Sequence, residues 1–135
     1  MGPDLKEESR RWFLQAQADL EDTIFSFKGE RFNLACFLAQ QSAEKLLKSY
    51  LYFKEVDNPW GHSVADLCAL AAKFDKDFKE IKKEGALLDK YYIPTRYPNV
   101  LPGGIPKEAF DKYDAQKAIA ITKKIATIVK GKIKI

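Results

Sequence analysis

Phe32-Asn33-Leu34-Ala35-Cys36-Phe37-Leu38-Ala39-Gln40-Gln41-Ser42-Ala43-Glu44-Lys45-Leu46-Leu47-Lys48-Ser49-Tyr50-Leu51-Tyr52-Phe53 runs without a proline or a glycine. Leucines at 34, 38, 46, 47 and 51, with alanines at 35, 39 and 43, predict one helix over the whole stretch, because both residue types favour helical geometry. A helix of about 20 residues spans about 30 Å, long enough to be half of an extended helical hairpin. The other half lies upstream, where Trp12, Ala16, Leu20 and Ile24 recur every four residues with charged and amide side chains between them. That spacing predicts a helix from about Leu5 to Phe27, stopped by Lys28-Gly29-Glu30, with Gly29 suited to the left-handed closing position.

Downstream, Asn58, Pro59 and Gly61 break the chain before a short helix through Val64, Leu67, Leu70 and Ala71. Ser63 is its expected cap, with Asp66 where a capping box places glutamate. Asp75 is suited to cap a fourth helix through Phe78, Ile81, Leu87 and Leu88, in which Gly85 costs about 1 kcal/mol relative to alanine. Pro94 and Pro98 end that helix, since proline lacks a backbone donor and disfavours helical geometry in its predecessor. With Pro102-Gly103-Gly104-Ile105-Pro106 the breakers continue, so a loop of about a dozen residues is expected. Asp111 or Asp114 then opens a last helix carrying Ala115, Ala118, Ile119, Thr122, Ile125, Ala126 and Val129. The pattern predicts an all-α fold, an up-and-down bundle of four long helices and one short one, in a single domain over residues 1–135.

Composition agrees with one ordinary globular domain: 46% hydrophobic and 31% charged residues in 135. There is no apolar run near the roughly 20 residues that cross a bilayer and no basic-then-apolar leader, so a cytoplasmic protein without membrane contact is expected. Cys36 and Cys68 stand alone in apolar helical patterns, without partners at metal-ligand spacing, and read as core thiols. No phosphate-loop or dinucleotide fingerprint occurs, so neither a metal nor a resident cofactor is expected. The net charge of +4 is uneven: residues 101–135 hold 8 basic and 3 acidic side chains, which is either a solvated lysine face or a patch that attracts polyanions.

Chemistry concentrates in Tyr91-Tyr92-Ile93-Pro94-Thr95-Arg96-Tyr97-Pro98, where prolines hold an arginine on a loop beside three phenols. The planar guanidinium fork matches a phosphate or carboxylate, and a tyrosine face accepts a stacked base. A packed turn in which Arg96 pairs with Asp89 is the structural alternative. On the central helix Gln41, Glu44, Lys45 and Lys48 share one face. Lys48 or Lys45 can meet a phosphate while Gln41 reads a base edge, or Glu44 and Lys48 form an ordinary (i, i+4) pair. His62, the sole histidine, suits a proton donor, a base or a phosphate contact, or a structural role at a helix start. The surplus aromatics Phe13, Phe25, Phe27, Tyr50, Tyr52 and Phe53 suit either core packing or a dimer interface.

Taken in order, Trp12 with Ala18-Asp19-Leu20, Gln40 to Lys48, His62-Ser63 with Leu67, Tyr91-Tyr92, Arg96-Tyr97-Pro98 and Asp114-Ala115 resemble the HEPN family over nearly the whole chain. The resemblance implies a small helical bundle, commonly a homodimer, tied to nucleotide or RNA chemistry and often encoded beside a minimal nucleotidyltransferase. Many members are metal-independent endoribonucleases whose Arg is followed after four to six residues by His. Here those positions are Leu101, Pro102 and Gly103. Loss of such an acid or base normally costs about 10² to 10⁴ in rate, so the resemblance is to a non-nuclease branch and an enzyme is not expected. The expectation is a module that binds a nucleotide or RNA end with Arg96 as phosphate clamp, Tyr92 or Tyr97 as platform and Lys48 as second charge, alongside Lys45, Gln41 and His62. Two alternatives stand: a ligand-free interaction subunit of a nucleotidyltransferase complex, and an endoribonuclease pairing Arg96 with His62 brought near in space.

Overall fold

A computed structural model describes residues 4–134. Six α-helices follow one another: α1 (Leu5–Lys28), α2 (Phe32–Phe53), α3 (Val64–Ala71), α4 (Asp77–Leu88), α5 (Pro106–Ala109) and α6 (Lys112–Lys132), with single 3₁₀ turns at Asp89–Tyr91 and Pro98–Val100. Among the described residues there is no strand. The fold is all-α, with α1, α2, α4 and α6 the long helices and α5 a single turn. No described helix is long and apolar enough to cross a membrane.

α2 is the axis of the bundle and touches every other helix. Its apolar surface explains this, since Ala35, Cys36, Ala39, Ala43, Leu46, Leu47, Tyr50 and Leu51 are all buried and no single neighbour can cover them. α1 packs antiparallel along it, and both helices of this hairpin end in the same way. Glu30 takes the left-handed conformation (φ 60°) with Arg31 N donating to Ser26 O, and Glu55 does so (φ 64°) with Val56 N donating to Leu51 O. Gly29 itself stays at φ −82°, because α1 continues through Lys28 and the left-handed position falls one residue later than the glycine suggests.

The buried face of α1 is also rotated from the one the four-residue spacing marks. Ser9, Phe13, Ala16, Thr23 and Ser26 face the core, whereas Trp12, Leu20 and Ile24 are half-buried. Close approach of α2 selects small residues here. Ser9 Oγ donates to Ser49 O at 2.6 Å and Ser42 Oγ to Ala16 O at 2.8 Å, so hydroxyls fasten one helix to the backbone of the other. Likewise Thr122 Oγ1 donates to Ala39 O at 3.1 Å, fixing α6 on α2 across 83 residues of sequence.

α3 is capped by Ser63, whose side chain accepts from Asp66 N. α4 begins two residues after Asp75, whose Oδ1 accepts from Asp77 N at 2.9 Å. It ends at Leu88 and tightens into the 3₁₀ turn before either proline is reached. Asp111 and Asp114 form a reciprocal capping box on α6. The proline-rich stretch holds two single turns and is tied down: Thr95, 1% exposed, donates to Tyr91 O at 2.6 Å, while Asn33 Nδ2 donates to Thr95 O at 3.1 Å. Cys36 and Cys68 are free and buried.

Candidate functional site

The loop from Lys54 to Ser63 doubles back along α2, because the His62 carbonyl accepts from Gln40 Nε2 at 2.9 Å. Gly61, at φ 99°, takes the bend immediately before it. The imidazole is thereby brought over α2, with Nδ1 3.2 Å from Glu44 Oε1 and the other ring edge outward, the side chain 60% exposed. Tyr92 lies against its face, ring centroids 4.9 Å apart and planes 18° from parallel.

Arg96 also lies against that tyrosine. Its Nε donates to Tyr92 O at 2.9 Å, and the guanidinium carbon lies 4.2 Å from the Phe37 ring centroid, 5.0 Å from Tyr92 and 5.1 Å from Tyr97. Aromatic rings hold the cation in place by their quadrupoles without neutralising it. Among the described residues no carboxylate lies within ion-pair distance of Arg96. Asp89, the partner a packed turn would supply, is occupied at the start of α3, accepting from Ser63 Oγ (2.7 Å) and from the backbone of Val64 (2.6 Å) and Ala65 (3.4 Å).

Below His62 runs a chain of polar side chains along α2. Glu44 Oε2 accepts from Lys48 Nζ at 3.1 Å, and Gln40 Nε2 also reaches Glu44 Oε1 at 3.3 Å. Gln41 Nε2 donates to Gln40 Oε1 at 2.7 Å. Every buried side-chain polar atom among the described residues has a partner. Lys48 also sits 5.4 Å from the Trp12 ring centroid, and Lys45 pairs with Asp19, whose other oxygen accepts from Gln15 Nε2 at 2.9 Å. Trp12 rests on Tyr52 (centroids 5.9 Å) and lines a groove of about 610 Å³ with Glu8, Arg11, Leu14, Gln15 and Lys45.

The fold therefore gathers Arg96, Tyr92, Tyr97 and His62 into one cluster, with Gln41 adjoining through Gln40. It places Lys45 and Lys48 at the Trp12 end of the same helix face. Lys48 is 8% exposed and bound to Glu44, so its ammonium is not a free phosphate contact. Tyr91 turns inward, edge-on to Phe110, and burial pushes its hydroxyl up to about 12. Burial also pushes the Cys36 and Cys68 thiols up to about 12, which leaves both protonated and unreactive near neutral pH. Phe37 is a member of the site that the motifs pass over, and Gln40, which falls inside the Gln40 to Lys48 motif, has no role assigned by it. Phe37 lies one helical turn before Gln41, so extending the polar stripe of α2 by one turn would have reached it.

The family model for the HEPN domain matches residues 9–132. The chain is similar to TT1696 from Thermus thermophilus, with 34% identity, coverage of 92% of this chain and 97% of that one, and a TM-score of 0.82. It is similar to ST0689, an archaeal HEPN homologue, at 36% identity, 93% and 98% coverage and a TM-score of 0.77. A HEPN domain protein (tm0613) from Thermotoga maritima aligns at 25% identity, 90% and 95% coverage and a TM-score of 0.71. No curated protein matches.

Proposed function

Because this chain belongs to the HEPN domain family, a set of helical modules often tied to nucleotides and RNA, we propose that it is a nucleotide- or RNA-end-binding module whose site is the cluster of Arg96, Tyr92, Tyr97 and His62. One observation carries the reading: Arg96 is exposed, held by three aromatic rings and paired with no carboxylate among the described residues. A guanidinium fixed in this way keeps its outer donors for a phosphate, and the exposed Tyr97 ring beside it offers a face for a base, while Tyr92 already carries His62 on one of its faces. Lys48 acts indirectly by neutralising Glu44, which would otherwise set an unpaired carboxylate beneath an incoming anion. A homodimer, with a minimal nucleotidyltransferase as partner, completes the proposal.

A second reading has its own support. His62 and Arg96 stand far apart in sequence, yet both contact Tyr92, which is the juxtaposition an endoribonuclease would need. Metal-free cleavage of RNA lost in both Arg96→Ala and His62→Ala would establish it, and intact RNA after incubation with pure protein would remove it.

The binding reading is tested by thermal unfolding of wild type and Arg96→Ala against ATP, GTP, the other nucleotides and short RNA, with and without magnesium. A ligand of the folded state at a hundredfold excess over its dissociation constant adds about 2.7 kcal/mol. The expected result is a shift in wild type that Arg96→Ala abolishes. No shift with any ligand would overturn the reading in favour of an interaction subunit.

A further inference from the structure

The Arg96 cluster is one end of a longer surface. From Phe37 to Lys48, α2 advances about 16 Å at 1.5 Å per residue. Phe37, Gln41, Glu44, Lys45 and Lys48 share one face along it, with Phe37, Gln41 and Lys45 partly exposed and Glu44 and Lys48 buried beneath them. On one side it is bordered by α1, through the pairing of Lys45 with Asp19 and the approach of Lys48 to Trp12. The other border is the returning loop that carries His62, anchored to Gln40 and Glu44.

Aromatic side chains stand at both ends of this run. Tyr92 stacks on His62 at one end and Trp12 lines the 610 Å³ groove at the other. Trp60 lies two residues before His62, so their Cα atoms are no more than about 7 Å apart. It is 87% exposed, the most exposed large apolar side chain among the described residues. Fold stability gives no reason for that indole, since it covers nothing in the core. A stacked base would cover it. Arg11, Lys45 and Lys48 are paired with Glu8, Asp19 and Glu44, which leaves those carboxylates neutralised and Arg96 as the cation of the run that holds no carboxylate, so the balance admits a polyanion.

We infer that the site takes a single-stranded oligonucleotide of at least three nucleotides, with one end at Arg96 and Tyr92, bases over Trp60, and the other end at Trp12 and Arg11. This rests on the reading of the Arg96 cluster as a nucleotide site. At about 3.4 Å per stacked nucleotide, a 16 Å run exceeds one nucleotide and accommodates up to about five. Sequence preference is expected to be weak, because stacking and charge, unlike base-edge hydrogen bonds, accept any base.

The chain contains two tryptophans, and these are the two platforms, so each can report alone. In Trp60→Phe the sole indole is Trp12, and in Trp12→Phe it is Trp60. Fluorescence of both variants is titrated with AMP, with pentaadenylate and with pentadeoxyadenylate, and Arg96→Ala is titrated in parallel. Pentaadenylate is expected to quench both reporters and to bind at least tenfold tighter than AMP. AMP is expected to leave Trp12 unmoved. The salt dependence of the pentamer should steepen by about 0.7 in log–log slope for each added phosphate contact. Tighter binding of pentaadenylate than of its deoxy form assigns the surface to RNA, and equal binding assigns it to single strands in general. If the pentamer binds no tighter than AMP, loses affinity in Arg96→Ala and never moves Trp12, the extended surface is refuted and the nucleotide site survives. If neither ligand moves either reporter or the melting curve, both readings fall.

Discussion

Glu44 and Lys48, one turn apart in α2, form an ion pair of 3.1 Å with 6% and 8% of their side chains exposed. A pair this buried is held by mutual dependence, since either charge alone would lie in a medium that solvates it poorly. Breaking such a pair costs about 3–5 kcal/mol, whereas replacing both partners by neutral residues of similar size can cost almost nothing. Lys48→Met is therefore expected to lose about 3–5 kcal/mol in urea denaturation, and Glu44→Gln with Lys48→Met to recover most of it. A single-variant loss below about 1 kcal/mol would mean the pair behaves as a solvated surface pair.

Asp89 ends α4 and caps α3, with three donors from Ser63, Val64 and Ala65 on its carboxylate. Removing it with Asp89→Ala is expected to cost about 1–3 kcal/mol, as the hydroxyl and the first helical N–H groups lose a charged acceptor. Ser63 adjoins His62, so nucleotide affinity should also fall although Asp89 touches neither Arg96 nor Tyr92. Unchanged affinity in a destabilised Asp89→Ala protein would show that His62 is placed by Gln40 and Glu44 alone.

At Gly85 propensity and packing oppose each other. Alanine ordinarily stabilises a helix interior by about 1 kcal/mol over glycine. Here its Cβ would meet Val64 Cγ1 at 2.9 Å and Cys68 Sγ at 3.5 Å, because α3 crosses α4 at that point. Overpacking typically costs about 1–3 kcal/mol, so Gly85→Ala should be destabilising on balance. Adding Val64→Ala should return part of the loss. A Gly85→Ala protein more stable than wild type would show that the helices part easily.

Lys132 Nζ lies 2.7 Å from Asp75 and 2.8 Å from Asp77, clasping the end of α6 to the start of α4. The hydrogen bond from Lys132, with a further one from Asp77 N, holds the Asp75 carboxyl below its ordinary 3.8. The folded state thus binds that proton more weakly than the unfolded chain, so the contribution is complete above 3.8 and lost as pH falls through the lower folded value. Wild type and Asp75→Asn should differ in stability at pH 7 and converge near pH 2. A difference that stays constant across that interval would contradict the clasp.

The helices could be read from the sequence because spacing and capping are local: Ser63 and Asp66, Asp111 and Asp114, and the leucines of α2 lie within a few residues of what they specify. The α1 face was less legible, since Ser9 and Thr23 are buried for their size and their hydroxyls, which a hydrophobic period does not register. The site was half legible. Arg96 and Tyr92 announce themselves beside prolines, but contact of His62 with Tyr92 depends on a loop that reverses along α2 and on the Gln40 hydrogen bond that holds it. The pairing of Glu44 with Lys48 follows from their (i, i+4) spacing, but its burial does not, because a helix hydrophobic on several sides leaves the inward direction undefined.

The hydrogen bond from Thr122 to the Ala39 carbonyl joins residues 83 apart. During synthesis at about 5–20 residues per second, α2 emerges roughly 4 to 17 seconds before the part of α6 that covers it. Ala35, Ala39 and Ala43 are among the smallest core residues and expose little apolar surface in that interval. The alanine seam that lets α6 seat closely in the finished bundle also limits the apolar area this part of α2 shows a passing chain, the large groups Leu46, Leu47, Tyr50 and Leu51 lying further along the helix.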